Sequence, residues 1–311
     1  MISGVDPHEP PASAVLVRSI APADHEAVAA LIASTGRSPA DAWPAHSRSI
    51  AAVAGPLEHI IGAGAWWRVR LDKFRIDLLV ASEWRRRGIG SGLLGHLVSQ
   101  ARTARAATLQ ARAESDDQEA LGFLVGRGFV ETMRMHRLVL DVPGVDLTPH
   151  MDILDRLAGQ GISIVSLEHE LAARQDCWAE FCRLYNAARE GWLDPDPGPP
   201  RPPLTPSQFR RRHHASADEH GVGIFECFLA VRGDRYVGFT GAMGTAVEPA
   251  FRGKGIATAV KLRAITSARE HGVAVLSTST GNPAMVRANQ RLGFQLVSTQ
   301  VRLVRAIQPR S

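Results

Sequence analysis

Cysteine, aromatic residues and long apolar runs are all scarce in this chain of 311 residues, and each scarcity excludes something. The three cysteines, Cys177, Cys182 and Cys227, show no Cys-x-x-Cys spacing, so we expect reduced thiols and no cysteine-based metal site. Aromatic residues make up only 6% and the arginines are dispersed, which disfavours a nucleic-acid binder. No stretch approaches the roughly 20 apolar residues of a membrane span, and the N-terminus lacks the pattern of a signal peptide. We therefore expect a cytoplasmic protein without a membrane partner.

What the composition does provide is typical of a soluble globular protein. The hydrophobic fraction of 45% is enough for two cores, and the length suggests about two domains. The formal net charge is +5, which is modest but leaves room for an anionic ligand. The adjacent pair His213-His214 follows three arginines and is expected on the solvated face of a helix rather than at a metal. No metal site is predicted.

One sequence pattern occurs twice. Residues 80–91 read Val-Ala-Ser-Glu-Trp-Arg-Arg-Arg-Gly-Ile-Gly-Ser, and residues 247–258 read Val-Glu-Pro-Ala-Phe-Arg-Gly-Lys-Gly-Ile-Ala-Thr. Each copy is the end of an apolar strand, then Arg-x-x-Gly-x-Gly/Ala, then a helix with apolar periodicity. A Gly-Phe pair follows Arg85 by 43 residues in the first copy and follows Arg252 by 41 in the second. Two similar repeats in tandem explain this arrangement better than one large domain.

The repeated pattern favours the capture of an anion. Glycine permits a left-handed backbone and a close approach of the chain to a ligand, and a helix N-terminus offers unpaired N–H groups. Arginine and lysine add full positive charge at the same place. One copy would fit an ordinary strand-to-helix turn, whereas two copies favour a pyrophosphate-bearing ligand. The pattern is neither the dinucleotide fingerprint, since the third glycine is missing, nor a Walker A loop, since Ile256-Ala257 follow Gly255.

With these motifs the sequence resembles the GNAT superfamily of acyl-CoA-dependent N-acyltransferases, in a tandem layout similar to that of mycothiol synthase. The segment from Thr278 to Phe294 looks like the family's Asn…Met…Asn…Leu-Gly-Phe segment. The resemblance implies that acetyl-CoA, or another short acyl-CoA, binds the loop of the second repeat, with its pantetheine arm near two asparagines. The predicted cofactor-binding residues there are Val247, Arg252, Gly253, Lys254, Gly255, Ile256, Ala257, Thr258, Asn282 and Asn289. The first repeat offers a second, weaker set: Val80, Arg85, Arg86, Arg87, Gly88, Ile89, Gly90 and Ser91.

The resemblance also implies direct attack of an amine on the thioester within a ternary complex. Many relatives place a tyrosine as proton donor four residues before the glycine of Gly-Phe, where this chain has Leu124 and Asn289, so no tyrosine donor can be carried over. The candidate bases are Asp77, on the predicted fourth strand, and Glu226 and Glu248 in the second repeat. Structural or surface roles remain the alternative for all three carboxylates.

The sequence therefore predicts an N-acetyltransferase acting on a primary amine of a small molecule or peptide, with catalysis in the second repeat. The short central hairpin of that repeat argues against this choice. The alternative is a catalytically inactive CoA-binding sensor or scaffold. A proline-rich segment at 194–206 is either a surface loop or a wall of the acceptor pocket. The sequence indicates no oligomeric state.

Strands alternate with helices through both halves, which predicts an α/β fold with a mixed sheet flanked by helices in each of two tandem GNAT-like domains. We expect a flexible tail at 1–13, an N-terminal domain at 14–142, a linker at 143–160 and a C-terminal domain at 161–311.

Overall fold

The computed structural model describes residues 15–36, 43–55, 58–189, 202–220 and 226–307, except for the side chains of 216–220. The strands are β1 (Leu16–Ser19), β2 (Arg48–Ala54), β3 (His59–Arg70), β4 (Lys73–Val80), β5 (Thr108–Glu114), β6 (Val130–Asp141), β7 (Ile162–Ser166), β8 (Phe228–Arg232), β9 (Arg235–Gly241), β10 (Gly244–Val247), β11 (Val275–Thr280) and β12 (Gln295–Ala306). The helices are α1 (His25–Ala33), α2 (Ile89–Thr103), α3 (Gln118–Val125), α4 (Asp152–Ala158), α5 (Leu167–Ala173), α6 (Cys177–Arg189), α7 (Pro206–His220), α8 (Ile256–Glu270) and α9 (Pro283–Arg291).

The chain forms two compact units, and each combines most of one sequence repeat with part of the last strand of the other repeat. The first unit comprises the residues up to Thr132 together with those from Val301 onward. The second unit comprises Met133–Gln300. The long strands β6 and β12 are thus each divided between the units.

In the first unit, β1, β2, β3 and β4 are antiparallel neighbours in that order, and β5 joins β4 in parallel. The C-terminal part of β12 lies beside β5. Helix α2 covers one face of this sheet, with a core that includes Val301, Leu303 and Ile307 from the end of the chain. Helix α1 packs on the other face through Val28, Leu31 and Ile32.

In the second unit, β10, β9, β8 and β7 form a four-stranded sheet, and β11 pairs antiparallel with β6. Helix α8 packs on β8 and β9 together with α4, and this core includes Leu138 and Leu140 of β6. A further core is built around α6 and α7, from Phe181, Tyr185 and Phe209. The predicted mixed α/β architecture is confirmed.

The boundaries between the compact units differ from the domain boundaries that the sequence predicts. The segment 143–160, predicted as a linker, contains α4, whose Ile153 and Leu157 are buried in the core of the second unit. The end of the N-terminal repeat, from Met133, lies in the second unit, and Val301 onward lies in the first. The physical reason is that each last strand buries its apolar residues in the core of the other repeat.

Several local predictions are confirmed and others need correction. Ile89, Leu93, Leu94, Leu97 and Val98 of α2 are all buried, as their helical spacing predicts. Asp24, whose residue type before an apolar helical pattern predicts an N-cap, precedes α1, but its carboxylate accepts hydrogen bonds from Arg18 and from the backbone N–H of Ala21 instead. The prediction of a solvated face at His213 is wrong, because its ring packs edge-on against Trp178 and Phe181. The largely apolar run at 224–231 predicts a strand that begins at Ile224, but the strand begins at Phe228, and 224–225 lie outside the described residues.

No helix within the described residues combines the length and apolar character needed to cross a membrane.

Candidate functional site

The two copies of the repeated pattern fold into the same strand–loop–helix geometry. A single 3-10 turn, Ser82–Trp84 or Pro249–Phe251, follows the strand, and a helix of 15 residues follows the loop. The arginine side chain folds back onto the strand end in both: Nε of Arg85 donates to the carbonyl of Val80, and Nε of Arg252 donates to that of Val247, each at 3.2 Å. The sequence repeat is therefore a structural repeat.

The glycine that precedes each helix has a left-handed backbone, with φ of 85° at Gly88 and 87° at Gly255. Among the described residues, no side chain caps the N-terminus of α2 or of α8. The first-turn N–H groups of a helix have no partner within the helix and carry a partial positive charge. Both loops consequently offer the backbone donors that a phosphate oxygen would accept, and the residues present fit the pyrophosphate of an acyl-CoA.

The remaining predicted loop residues occupy matching positions. Arg86 and Gly253 are both left-handed, and the cations of Arg87 and Lys254 lie 5.1 Å from the ring centres of Trp84 and Phe251. Both isoleucines are buried at the start of the helix, and the pairs Gly90-Ser91 and Ala257-Thr258 complete the first turn.

The surroundings of the loops differ between the units. In the first, Arg85 also forms an exposed ion pair with Glu119, and Arg127 donates to the hydroxyl of Ser91. Phe123 closes on the loop, since a Cβ added to Gly90 would lie 3.2 Å from its ring. These contacts attach α3 and the turn after it to the first loop.

In the second unit, α4 lies against the loop. A Cβ added to Gly255 would lie 2.6 Å from Cδ1 of Ile153, whereas no described atom comes within 4 Å of a Cβ added to Gly88. Gly255 is therefore required for packing as well as for its backbone conformation.

The strands that precede and follow the loop and its helix also differ between the units. In the first unit, β4 and β5 pair over only three residues, from Lys73 to Arg75. In the second unit, β10 has only four residues, and β10 and β11 belong to different sheets and are not paired within the described residues.

The predicted asparagines lie on α9 and take two different roles. Asn282 is exposed and caps the helix, accepting a hydrogen bond from the N–H of Ala284 at 2.9 Å, as Asp117 does for α3 in the first unit. Asn289 is fully buried, and its side-chain oxygen and nitrogen have no hydrogen-bond partner among the described residues. A buried polar group of this kind calls for an explanation.

The three candidate bases are separated and already have partners. Asp77 accepts a hydrogen bond from the indole of Trp43 at 2.9 Å, and Glu226 accepts one from Ser267 at 3.2 Å. Glu248 is 7% exposed, and its carboxylate bonds the guanidinium groups of Arg183 and Arg235. Both oxygens of the Glu248 carboxylate are therefore engaged by arginine.

Part of the predicted acceptor wall lies outside the described residues, which resume at 202. In the described part of this segment, the side chain of Asn186 of α6 accepts a hydrogen bond from the N–H of Leu204 and donates one to its carbonyl. Within the described residues, no group of three or more histidine, cysteine or acidic side chains is placed to hold a metal ion.

Comparisons with known proteins agree with this geometry. The model of the acetyltransferase (GNAT) family matches twice, at residues 24–129 and 178–294. No curated protein sequence gives a significant match.

Three solved structures are similar to the chain over nearly its whole length. A GCN5-related N-acetyltransferase from Sphaerobacter thermophilus is 18% identical with a TM-score of 0.67, over 95% of this chain and 96% of that one. A tandem GNAT protein from the clavulanic acid biosynthesis pathway is 20% identical with a TM-score of 0.62, over 96% and 100%. A glucosamine N-acetyltransferase region of a fungal multi-domain β-N-acetylglucosaminidase is 14% identical with a TM-score of 0.68, over 97% and 39%. At these identities the likeness concerns the fold.

Proposed function

The chain belongs to the GNAT acetyltransferase family, in its tandem two-domain form, and from this premise we propose that it is an acyl-CoA-dependent N-acyltransferase. Its donor is acetyl-CoA or another short acyl-CoA, and its acceptor is a primary amine of a small molecule or peptide. When bound, the acyl-CoA supplies an activated thioester carbonyl for direct attack by the amine.

The observation that carries the proposal is the repeated loop with an uncapped helix behind it. In each unit the loop combines first-turn N–H donors with an arginine and a further cation, Arg87 or Lys254. Such a loop holds the phosphate end of the ligand and so positions the distant thioester, which turns remote binding energy into orientation.

We place catalysis in the second unit. Within the described residues β10 and β11 do not pair with each other, and Asn289 brings an amide without a hydrogen-bond partner there into the interior of the same unit. In the first unit the matching position is the apolar Leu124. Glu226 or a water chain would remove the amine proton in the second unit, because Glu248 is held by its two arginines.

The matched cations Arg87 and Lys254 allow a direct test. We would titrate acetyl-CoA into the wild-type protein, Lys254→Glu and Arg87→Glu by calorimetry. A charge reversal beside the phosphates should weaken binding by about tenfold or more at the loop that is used, which corresponds to roughly 1.4 kcal/mol.

One site per chain, weakened by Lys254→Glu and unchanged by Arg87→Glu, is the expected result. Sensitivity to Arg87→Glu alone would move the site to the first unit. Binding followed by no thiol release with any amine of a broad panel would favour the inactive CoA-binding sensor or scaffold. Absence of binding by the wild-type protein would contradict the proposed function.

A further inference from the structure

The second unit buries a lysine where the first unit buries a leucine. Lys261 lies six residues after Gly255 on α8, and Leu94 lies six residues after Gly88 on α2. Only 7% of Lys261 and 3% of Leu94 is exposed. Lysine is almost never buried without a partner, because the ammonium group loses its hydration.

Asn289 repeats this contrast at a second position. Asn289 and Leu124 each lie four residues before the glycine of a Gly-Phe pair, and both are buried. The leucine contributes to the core of the first unit, whereas neither polar atom of the Asn289 side chain has a hydrogen-bond partner in the described part of the chain. A buried amide left in this state costs about 1–3 kcal/mol.

The lysine and the asparagine adjoin the same residue, Phe294. The Nζ atom of Lys261 lies 5.6 Å from the centre of the Phe294 ring, and the backbone N–H of Phe294 donates to the carbonyl of Asn289 at 3.1 Å. Burial lowers the pKa of Lys261 to about 8, and no charged group of the described residues contributes to this shift. Within the described residues, the second unit therefore has a cation without an anionic partner and an amide without a hydrogen-bond partner, both next to Phe294.

The position of these groups relative to the loop indicates which anion they would meet. Helix α8 begins at the phosphate-binding loop, and at 1.5 Å per residue Lys261 lies roughly 9 Å along it. Helix α9, which carries Asn289, packs against α8 and follows β11. Beyond its phosphates, an acyl-CoA provides one further anion, the thiolate that forms when the acyl group leaves, and a cation without an anionic partner would stabilise it.

On the basis of the proposed function, we propose that Lys261 and Asn289 bind the sulfur of the acyl-CoA in the second unit, with Lys261 as the proton donor to the departing thiolate. The amine nitrogen forms the new C–N bond, the C–S bond breaks, and its electron pair stays on sulfur. Lys261 gives a proton to that sulfur, while Asn289 donates an N–H hydrogen bond to it. Glu226 or a water chain takes the proton that the amine nitrogen loses on becoming an amide, and passes a proton back to neutral Lys261.

The first unit supplies the variants for the test. Lys261→Leu and Asn289→Leu introduce the side chains that the first unit carries at the matching core positions, so both variants are expected to fold. Lys261→Arg keeps the charge. Leu94→Met, a change of similar volume in the first unit, serves as the control.

The primary measurement is the pKa of the thiol of bound CoA, followed by the ultraviolet absorbance of the thiolate between pH 6 and 10. Desulfo-CoA gives the blank, because it fills the same site without a sulfur. The protein's own cysteines contribute little in this range, since burial raises the pKa of Cys177, Cys182 and Cys227.

A cation near the sulfur favours the thiolate, so the thiol pKa in the wild-type complex should lie about one unit or more below that of free CoA. The thiol pKa should return toward the free value in Lys261→Leu, stay low in Lys261→Arg and be unchanged in Leu94→Met. For turnover, Lys261→Leu should lower kcat with little effect on KM. The decline of the wild-type kcat above about pH 8, where the donor loses its proton, should disappear in Lys261→Leu.

Two outcomes would overturn the inference. One is a thiol pKa in Lys261→Leu equal to that of the wild-type complex. The other is Lys261→Leu and Asn289→Leu both gaining stability without any change in the thiol pKa or in the pH profile of kcat. Failure of the proposed function is a different result, since the wild-type protein would then not bind CoA at all.

Discussion

The two units share a loop and differ in the interior behind it. The φ angles of Gly88 and Gly255 agree within a few degrees, and the bonds from Arg85 and Arg252 to their strand ends have the same length. The cores are less alike: the first unit is apolar at Leu94 and Leu124, and the second has Lys261 and Asn289. In the proposed mechanism, ligand capture and reaction chemistry thus depend on separate parts of the structure. One part can be kept while the other changes.

The largest effect is expected from removing the end of β12, which follows the second repeat in sequence but packs in the core of the first unit. Val301, Leu303 and Ile307 are almost fully buried in the first unit, and the N–H of Ile307 donates to the carbonyl of Ala107. At roughly 1.5–3 kcal/mol for each buried side chain, their loss approaches the whole stability of a domain.

A chain ending at Gln300 should therefore lose hydrogen-exchange protection throughout β1 to β5, while α8 and β9 keep theirs. A chain ending at Ile307 is the matched control. Equal loss in both units, or in neither, would contradict the division of the molecule. Hydrogen exchange is preferable to one melting curve, because two units need not unfold together.

Alanine at the two loop glycines should separate backbone strain from packing. Gly88→Ala should lower the free energy of unfolding by about 1 kcal/mol, because alanine must adopt a left-handed backbone there. Gly255→Ala has this cost and also forces Ile153 to move, so the free energy of unfolding should decrease by about 3 kcal/mol in total. Chemical denaturation monitored separately in each unit by hydrogen exchange gives both values. Replacing Ile153 by alanine in the Gly255→Ala background should recover part of the difference, and similar costs for the two single variants would argue against the contact of α4 with the loop.

Glu248 offers a smaller contrast, since the matching residue in the first repeat is Ala81. Glu248→Gln removes the charged partner of Arg235, whereas Arg183 keeps its ion pair with Glu180. The change should cost about 1–2 kcal/mol, less than breaking a fully buried pair, because both arginines are partly exposed. Glu119→Gln breaks the exposed pair with Arg85 and should cost less than about 1 kcal/mol. If Glu248 were the essential base, turnover would vanish in Glu248→Gln while stability changed little.

The smallest effect concerns pH and the second unit alone. Burial, followed by the charge of neighbouring His214, lowers the pKa of His213 below its ordinary value of 6.5. The unfolded chain then binds the proton more readily, so this contribution to stability is present above pH 6.5 and declines as the pH falls. The denaturant midpoint measured at α6 and α7 should decrease as the pH is lowered from 7.5 to 5.5, and it should decrease less in His213→Phe. His96→Gln, on the exposed side of α2, should leave that decline unchanged.

Patterns local in the sequence predicted much of this structure. The buried face of α2 follows from helical spacing, and the paired loops follow from the repeat of Arg-x-x-Gly. The packing of β6 and β12 in the core of the other repeat does not follow from the sequence. Each strand comes after its own Gly-Phe pair, and the local pattern of each strand fits either core. Lys261 left a detectable signal: a comparison of the repeats residue by residue sets it against Leu94. Asp24 shows the opposite case, since a residue typical of a helix cap pairs with the more strongly attracting Arg18.

The exchanged strands also have a consequence for the order in which the protein is made. Synthesis runs from the N-terminus, so the residues of β1 to β5 leave the ribosome before those of the second repeat, yet the part of β12 that belongs to the first unit comes only after Gln300. Throughout synthesis of the second repeat, the first sheet has an unpaired edge, a place where another chain can add a strand. The second unit, by contrast, has β6 available before its other strands appear. The part of the molecule that is translated first is thus the last to be completed, and the nascent chain needs protection at β5 for the whole of that interval.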